Sequence, residues 1–487
     1  MSLKPLLDPA AAAANMAEIE PAYTPQQAKV EADRCLFCFD APCITACPTG
    51  IDVPAFIKKI ASDNLTGAGR TILEANVLGS SCARVCPTKE LCEGACVLLD
   101  RDEQPIKIGR LQRHATDHVF KHSIDVLKPA TNKSGKRVAL IGAGPASIGC
   151  AAELVQLGHE AIVYEKKTQA GGLNTYGIAY YKLTPETSLE EVEMVRKLGV
   201  EFRCGIEVGC DISMEEILEK YDAVFLGLGL GKARALDIPG EDLPEVFEAL
   251  QFIEKFHTAP LHQVPVGQHA VIIGAGNTAI DAVSQSKRLG AESSTIVYRR
   301  GEDCMPAYDF EYDLAKNDGC EFVFNAAPVA ILENDGSVEG IRLIKTEIDA
   351  DGRLAQVKGS EFEIPCDMVL KASGQTKQAE LLKKLLPDLA LDGAGRIQTD
   401  PKNGLTSIPK VYAGGDAANG GREVVNAVAE GKKAARGMHS FFTGDSIQGP
   451  VQPSRVGAVG SPIGSGFDKP VRVSELEAAY HTQSTEK

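Results

Sequence analysis

The stretch VALIGAGPASIG, residues 138 to 149, decides the fold of the central part of the chain. Its first four residues are apolar and predict a buried strand, and the residues after the glycines predict a helix. Gly142 permits the tight turn, Gly144 lets backbone approach a ligand, and Gly149 allows close packing of helix on strand. The stretch therefore predicts the start of an α/β dinucleotide-binding domain, with an anion at the helix N-terminus.

A second strand, turn and helix pattern, AVIIGAGNTAIDAV, occupies residues 270 to 283. Here Ala279 stands where the first pattern has its third glycine. A third glycine-rich stretch, AGGDAANGG at 413 to 421, is too far along the chain to belong to the first unit. In two-dinucleotide flavoproteins, an aspartate placed like Asp416 meets the ribityl chain of the flavin. The pattern predicts two Rossmann-like domains of that type.

The residue that ends the next strand differs between the two units. Glu165 ends AIVYE, where a carboxylate can bind a ribose diol and excludes a 2′-phosphate. Arg299 and Arg300 end TIVYRR, where guanidinium groups suit a 2′-phosphate by charge and geometry. We therefore expect FAD in the first unit and a nicotinamide cofactor in the second, with NADPH favoured over NADH.

Eight of the fourteen cysteines fall in two runs, CLFCFDAPCITACP from Cys35 and CARVCPTKELCEGAC ending at Cys96. Cys43 and Cys47 are spaced one helical turn apart, as are Cys92 and Cys96. Runs of this kind supply thiolates to iron-sulfur clusters, although x4 replaces one x2 of the bacterial ferredoxin spacing. Structural zinc and disulfides are the alternatives, and a reducing compartment disfavours disulfides. We predict two [4Fe-4S] clusters, and the spacing leaves open which four ligands hold each.

Composition limits the remaining possibilities. The 487 residues are 44% hydrophobic and carry a net charge of −15, which indicates a multidomain globular protein with little attraction for nucleic acid. We find no stretch apolar enough to cross a membrane and no signal peptide, so a cytoplasmic location is expected. The six cysteines outside the two runs stand singly and are expected to be inert packing.

The polar segment 128 to 136 marks a linker before the first strand. The expected domains are an all-α iron-sulfur domain at 1–130, a first FAD part at 131–262, a nicotinamide-cofactor domain at 263–372, a second FAD part at 373–445 and a flexible tail at 446–487.

Through about residue 445, the chain resembles the glutamate synthase small-subunit superfamily. The resemblance rests on the spaced cysteines, GAGP, GGL, GAGNTA, YRRGEDCMPA, ASGQ and AGGD in the family's order. It implies FAD contacts from Gly142, Gly144, Pro145, Ala146, Glu165, Gly172, Leu173, Lys182 and Asp416. It implies NAD(P)H contacts from Gly274, Gly276, Asn277, Thr278, Arg299, Arg300 and Gly374.

The N-terminal part looks most like the dihydropyrimidine dehydrogenase branch. That resemblance implies one cluster on Cys35, Cys38, Cys43 and Cys96, and another on Cys47, Cys86, Cys92 and Gln112, with Cys82 unliganded. Taken alone, Gln112 is an ordinary helix-surface glutamine. Glutamate synthase small subunits tend to carry glutamate there, so Gln112 favours the pyrimidine branch.

Bacterial enzymes of this branch divide the work between two chains. The resemblance implies that this chain is the electron-input subunit, which passes electrons from NAD(P)H through FAD and the clusters. An FMN- and iron-sulfur-containing partner, in a heterotetramer, reduces uracil or thymine. Hydride transfer needs ring alignment and no general acid or base, so no catalytic side chain is named. The alternatives are a glutamate synthase small subunit, a stand-alone NAD(P)H:ferredoxin or sulfide-linked reductase, and a non-catalytic scaffold.

Overall fold

The computed structural model describes residues 3–349 and 352–445. The expected tail at 446–487 lies outside the described residues. As predicted, the N-terminal part is helical. Helices α1 to α7 span Pro9–Asn15, Pro25–Asp33, Pro42–Thr45, Val53–Ala61, Leu65–Ala75, Gly79–Val85 and Ile108–Lys121.

Local sequence explains where these helices begin. Thr24 and Gln27 form a capping box at the start of α2, and the Asp52 side chain accepts from the backbone of Ala55 to cap α4. Helix α4 then buries Val53, Phe56, Ile57 and Ile60 at helical spacing. Five of the cysteines are half-buried against this small core: Cys35, Cys43, Cys47, Cys92 and Cys96.

The next unit begins with strands β1 to β4 at Arg137–Ile141, Glu160–Glu165, Glu201–Cys204 and Ala223–Leu226. Helices α8 to α11 span Pro145–Gln156, Leu173–Tyr176, Pro185–Leu198 and Met214–Lys220. The last part of the described chain returns to this unit with α15 at Ala379–Leu385, after an intervening domain. Strand β14 at Val411–Ala413 completes a five-stranded parallel sheet in the order β14-β4-β1-β2-β3.

The intervening domain contains β5 to β13 at Val246–Glu248, His269–Ile273, Ser293–Tyr298, Glu321–Phe324, Ala326–Asn334, Ser337–Ile348, Leu354–Gln356, Phe362–Pro365 and Met368–Lys371. Its helices α12 to α14 span Ala249–Thr258, Asn277–Arg288 and Asp309–Asn317. Its main sheet is parallel, in the order β5-β13-β6-β7-β8, and β9 to β12 form a second, antiparallel sheet. Helices α16 and α17 follow β14 at Asp416–Asn419 and Val424–Thr443.

Two of the expected domain limits were wrong. Strand β5 pairs with β13, so the crossover into the nicotinamide-cofactor domain precedes Val246 instead of following residue 262. The segment around Ala12 and Met16 packs in the core of that same domain and not in the iron-sulfur core. Helical periodicity could not reveal this docking, because it shows only that α1 has an apolar face.

Candidate functional site

The first glycine turn has the geometry that the sequence predicts. Gly142 has a φ of +90°, and a Cβ atom there would lie 2.6 Å from the carbonyl oxygen of Gly227. At Gly144, a Cβ atom would meet no atom within 4 Å, so open space lies beside the backbone. Helix α8 starts at Pro145, and no side chain caps its N-terminus. The free N–H groups therefore face space in which a pyrophosphate fits.

Gly149 has a different neighbour from the one expected. A Cβ atom there would lie 3.0 Å from Val428 of α17, so this glycine permits two helices to approach closely, not a helix and a strand. The consequence is structural: α17, from the last part of the chain, packs directly on the helix of the first turn.

Glu165 is held beside the first turn. Its Oε2 accepts from the Ala143 amide at 2.8 Å, and its Oε1 accepts from the Lys167 amide at 2.8 Å. Each carboxylate oxygen keeps a second lone-pair direction, which suits the hydroxyls of a ribose.

The Gly172 loop lies against this turn. A Cβ atom on Gly172 would be 2.7 Å from Cα of Gly144. Next to it, Leu173 is 40% exposed, while Asn174 is buried. Neither polar atom of the Asn174 side chain has a hydrogen-bond partner among the described residues, and nor does the buried Ser147 Oγ on α8. Unsatisfied buried amide and hydroxyl groups beside an open glycine cradle fit the binding of FAD.

The loop that contains Asp416 is the last part of the candidate FAD site. Gly415 has a φ of +69°, and its amide donates to Glu430 Oε2 on α17 at 2.7 Å. Burial raises the pKa of Asp416, while its Oδ1 accepts from the Arg422 amide. Glu430, which also accepts from Asn419, was not among the predicted residues. It fixes the loop from a neighbouring helix, so no local motif marks it.

The second glycine turn repeats the first. Gly274 has a φ of +131°, and a Cβ atom there would lie 2.3 Å from the Ala372 carbonyl oxygen. Open space surrounds Gly276 and Gly374. Asn277 and Thr278 start α13, and Asn277 Oδ1 accepts from the Tyr308 amide.

Arg299 and Arg300 lie at the end of β7, as predicted. Both side chains are exposed. Their backbone carbonyls accept from Thr346 and Asn325, respectively. Both side chains are therefore at the surface, where a phosphate can reach them.

The expectation for Lys182 needs correction. Its ammonium group lies 2.6 Å from Asp281 Oδ1 and 2.7 and 2.6 Å from the two oxygens of Glu311. An ammonium group has three donors, so none remains for a flavin phosphate or ring oxygen in this arrangement. Sequence could not show this, because both carboxylates come from the other domain.

The first group of cysteines shares one cavity. Cys35, Cys38, Cys43 and Cys96 line it together with apolar side chains such as Val53, Ile57 and Leu98. Burial raises the pKa of Cys35 to about 11 and that of Cys43 to about 12. Cluster binding requires thiolates, so these cysteines need the positive charge of iron to release their protons.

The cysteines of the second group, Cys47, Cys86 and Cys92, have surroundings that differ from one another. Cys47 Sγ lies 3.3 Å from Thr49 Oγ1. A hydrogen bond with Cys82 and burial raise the pKa of Cys86, and burial raises the pKa of Cys92. Cys92 lies in a turn and Cys96 directly precedes the 3₁₀ helix Val97–Arg101, so neither is part of an α-helix.

Two side chains are candidates for the fourth ligand of the second group. Cys82 is buried on α6, one turn before Cys86. Gln112 is buried on α7, and its Nε2 donates to the Gly79 carbonyl at 2.7 Å, at the start of α6. In residues 3–349 and 352–445, no three His, Cys, Asp or Glu side chains could share one metal ion. A cluster does not require that, because each thiolate binds a different iron.

A buried carboxylate joins the second cysteine group to the FAD domain. Glu191 on α10 accepts from the amides of Ser80 and Ser81 at 2.7 and 3.0 Å, and from the Ser81 hydroxyl. Burial raises the pKa of Glu191 to about 7. Glu191 therefore caps α6, the helix that carries Cys82 and ends just before Cys86. Sequence reasoning missed it, because a glutamate in the helical run EEVE looks like a solvated residue.

Two family models match the helical N-terminal part and the dinucleotide-binding part of the chain separately. Residues 12–124 match the model described as dihydropyrimidine dehydrogenase domain II, 4Fe-4S cluster. Residues 136–431 match the model for pyridine nucleotide-disulphide oxidoreductase. Of the described helices, none has both the length and the apolar character to cross a membrane.

Solved structures support the fold of the second part. FprA from Mycobacterium tuberculosis in complex with NADPH matches with a TM-score of 0.51 at 21% identity, over 66% of this chain and 89% of FprA. Thioredoxin reductase from T. acidophilum matches with a TM-score of 0.51 at 20% identity, over 62% of this chain and 97% of that one. The fold and the site together define an iron-sulfur flavin oxidoreductase with two dinucleotide-binding domains.

Proteins with similar sequences identify the family within this class. The glutamate synthase [NADPH] small chain of Halomonas elongata is 37% identical over 88% of this chain and 94% of its own length. The corresponding chain of Escherichia coli K12 is 36% identical over 87% of this chain and 93% of its own. The NAD-dependent dihydropyrimidine dehydrogenase subunit PreT of E. coli K12 is 34% identical over 88% and 97%. The chain belongs to the glutamate synthase small-subunit family.

Proposed function

We propose that the chain is the electron-input subunit of a dihydropyrimidine dehydrogenase. In this proposal it oxidises NAD(P)H and passes the electrons through FAD and two [4Fe-4S] clusters. A partner subunit with FMN and further clusters then reduces uracil or thymine to the 5,6-dihydro form. The PreT relatives, which are named as subunits of such an enzyme, support the proposal.

Each cofactor has a proposed set of residues. FAD would be held by Gly142, Gly144, Pro145, Ala146, Glu165, Gly172, Leu173 and Asp416, and its role would be to accept the hydride. NAD(P)H would be held by Gly274, Gly276, Asn277, Thr278, Arg299, Arg300 and Gly374. The clusters would be held by Cys35, Cys38, Cys43 and Cys96, and by Cys47, Cys86, Cys92 and Gln112.

The observation that carries the pyrimidine assignment is the position of Gln112. Its side chain is buried, and the hydrogen bond from its amide nitrogen to the Gly79 carbonyl fixes the carboxamide at the start of α6, the helix that carries Cys82. A glutamine ligates through its oxygen, which this bond leaves available. Glutamate synthase small subunits tend to carry glutamate at the comparable place, so a glutamine here favours the pyrimidine branch.

A second candidate has its own support. The glutamate synthase small chains are 36% and 37% identical to this chain, slightly more than the PreT subunits at 32% to 34%. In that case, the chain would deliver electrons to a large glutaminase and synthase partner. The nucleotide and cysteine sites would be used in the same way, so only the partner and its substrate separate the two candidates.

The deciding experiment is anaerobic purification of the native complex through a tag on this chain. We expect an FMN-containing partner and NAD(P)H-dependent reduction of uracil. Glutamine-dependent reduction of 2-oxoglutarate in the same preparation is the matched assay. A complex that is active only in the second assay contradicts the pyrimidine proposal and supports glutamate synthase.

The choice of nicotinamide cofactor has a separate test. Arg299 can make a charge-assisted bond to a 2′-phosphate, worth about 1.5–3 kcal/mol. We expect Arg299→Ala to lower the ratio of kcat/KM for NADPH to that for NADH by roughly tenfold or more. Arg342→Ala, which removes an exposed arginine of the same domain, is the control. An unchanged ratio contradicts the role of Arg299, and a wild-type preference for NADH contradicts the expectation of NADPH.

A further inference from the structure

Tyr308 lies where the two dinucleotide-binding domains meet. It directly precedes α14 in the nicotinamide-cofactor domain, and its hydroxyl donates to Glu423 Oε1 at 2.7 Å. Glu423 directly precedes α17, the helix that packs on the helix of the first glycine turn. The two residues are 115 positions apart in the chain, and their hydrogen bond joins one domain to the other.

The backbone of Tyr308 is fixed to the second glycine turn. The Tyr308 amide donates to Asn277 Oδ1 at 3.2 Å, and the Ala307 amide donates to the Ala275 carbonyl at 3.1 Å. Ala275 is the middle residue of the glycine turn, and Asn277 is the first residue of α13. Tyr308 is therefore hydrogen-bonded directly to the residues proposed to hold NAD(P)H.

The other end of the bond is connected to the candidate FAD site. The amide of Arg422, the residue before Glu423, donates to Asp416 Oδ1 at 3.2 Å. Asp416 is one of the residues proposed to hold FAD. The Glu423 side chain makes no capping hydrogen bond to α17, so its carboxylate is used between the domains and not within its own helix.

The tyrosine ring and its proton are both held in place. The ring of Tyr308 stacks on that of Phe310, with centroids 5.6 Å apart and an interplanar angle of 7°. The ammonium group of Lys89, from the iron-sulfur domain, lies 5.5 Å from the centroid of the Phe310 ring. Burial raises the pKa of Tyr308, and the carboxylate of Glu423 raises it further. The hydroxyl therefore keeps its proton at neutral pH and donates it to Glu423.

The proposed function requires accurate placement of the two domains, and this inference rests on that function. Hydride transfer needs two aligned rings, and a misplacement of about 1 Å can lower its rate by on the order of a hundredfold. Since each ring would be held by a different domain, contacts between the domains decide the alignment. The buried ion pairs of Lys182 provide one such contact. The bond from Tyr308 to Glu423 provides another, directly between the two cofactor sites.

We propose that Tyr308 is a positioning residue for hydride transfer. Through its bond to Glu423, it fixes the NAD(P)H turn relative to the loop that contains Asp416. Tyr308 gains and loses no proton and no electron in this step, because the hydride carries both electrons from the nicotinamide to the flavin. Loss of the hydroxyl therefore disturbs the alignment of the rings and leaves both binding sites intact.

The test uses the full chain loaded with FAD and clusters, so it needs no partner. Stopped-flow mixing with increasing NADPH or NADH, without oxygen, gives the limiting rate of flavin reduction. Two further measurements do not depend on turnover. Titration of the oxidised chain with NADP⁺ or NAD⁺ gives the affinity. Long-wavelength charge-transfer absorbance, measured in excess NADPH or NADH, reports how well the two rings stack.

We expect Tyr308→Phe to lower the limiting rate of flavin reduction by about tenfold or more. The charge-transfer absorbance should weaken, and the affinity for the oxidised nicotinamide cofactor should stay at the wild-type value. Glu423→Ala removes the same bond from the other domain, so it should have the same effects. The double variant should be no slower than the slower single variant. The ion pairs of Lys182 remain in all three variants, and flavin content checks that each is folded.

Tyr312→Phe is the matched control. Tyr312 lies on α14 and donates to Glu302 Oε1 at 2.7 Å, within the nicotinamide-cofactor domain. We expect the wild-type limiting rate from it. A wild-type limiting rate in either Tyr308→Phe or Glu423→Ala overturns the inference, as does a double variant in which the two effects multiply. Weaker binding of the oxidised cofactor with an unchanged limiting rate also overturns it. A wild-type chain whose flavin neither NADPH nor NADH reduces overturns the proposed function itself.

Discussion

The two groups of cysteines are built in different ways. The first group lines a cavity whose walls all come from residues 35 to 108. Apart from the cysteines, the residues of those walls are apolar. The second group reaches beyond its own domain: Cys86 faces the cavity that Lys182 and Glu311 also line. Its helix α6 is capped by Glu191 of the FAD domain. Under the proposed function, the second group is the one that receives electrons from the flavin, and the first is the one farther along the path.

The largest expected effect is the loss of the first cluster. Cys43→Ala removes one of four thiolates that share a cavity and leaves a wall that offers no other ligand. We expect iron content to fall by about half, with the second cluster retained. Iron analysis and electron paramagnetic resonance of the reduced protein measure this. Cys210→Ala, an exposed cysteine outside both groups, should leave iron unchanged. Loss of both clusters in Cys43→Ala would contradict the independence of the two groups.

The second prediction concerns the fourth ligand of the second group. We expect Gln112→Ala to lose the second cluster, because its oxygen is the proposed ligand, and Cys82→Ala to keep it. Iron analysis of the two purified variants provides the measurement, and each variant serves as the control for the other. If Cys82→Ala loses a whole cluster and Gln112→Ala keeps both, then Cys82 is the ligand, and the main support for the pyrimidine assignment is lost.

The third prediction tests the link between the FAD domain and α6. The pKa of Glu191 is raised from 4.5 to about 7, so the folded chain keeps a proton that the unfolded chain has released. This contribution to stability is full below pH 4.5 and is lost as pH rises through 7. A shift of this size is worth on the order of 3 kcal/mol.

We expect Glu191→Gln to remove this pH dependence. The stability of the variant relative to wild type should rise between pH 5 and 8, as measured by anaerobic melting of the loaded protein at each pH. Glu193→Gln changes an exposed carboxylate of the same helix that is paired with Arg196 instead of bonded to α6, and provides the control. If both variants show the wild-type dependence on pH, Glu191 does not titrate in this range.

The sequence predicted the parts of the site that depend on local geometry. Gly142 and Gly274 have the positive φ angles that their turns require, and open space surrounds Gly144 and Gly276. The helices between the cysteine runs were also predictable, because α4 and α5 bury one face at regular spacing. In each case, the deciding property is the conformation of the local backbone or the spacing of apolar residues within one segment, and both can be inferred from the segment's own sequence.

The parts that could not be predicted depend on contacts between domains. Lys182 is paired with Asp281 and Glu311 of the next domain, and Glu191 reaches Ser80 more than a hundred residues away. A charged residue is expected to be solvated when the sequence indicates no partner for it. The crossover before β5 was missed for a similar reason. Neither the sequence of β5 nor that of β13 alone indicates that the two strands pair.

The smallest expected effect concerns a single hydroxyl beside the second group. Thr49 Oγ1 lies 3.3 Å from Cys47 Sγ, and hydrogen bonds to cluster sulfur raise the reduction potential. A bond worth about 0.5–1.5 kcal/mol corresponds to roughly 20–60 mV for one electron. We therefore expect Thr49→Val to lower the potential of the second cluster by that amount in a redox titration followed by electron paramagnetic resonance. Thr49→Ser, which keeps the hydroxyl, should leave the potential near the wild-type value. Because this hydroxyl is hydrogen-bonded to Cys47, a shift confined to the first cluster would mean that Cys47 belongs to that cluster and that the two groups are divided differently.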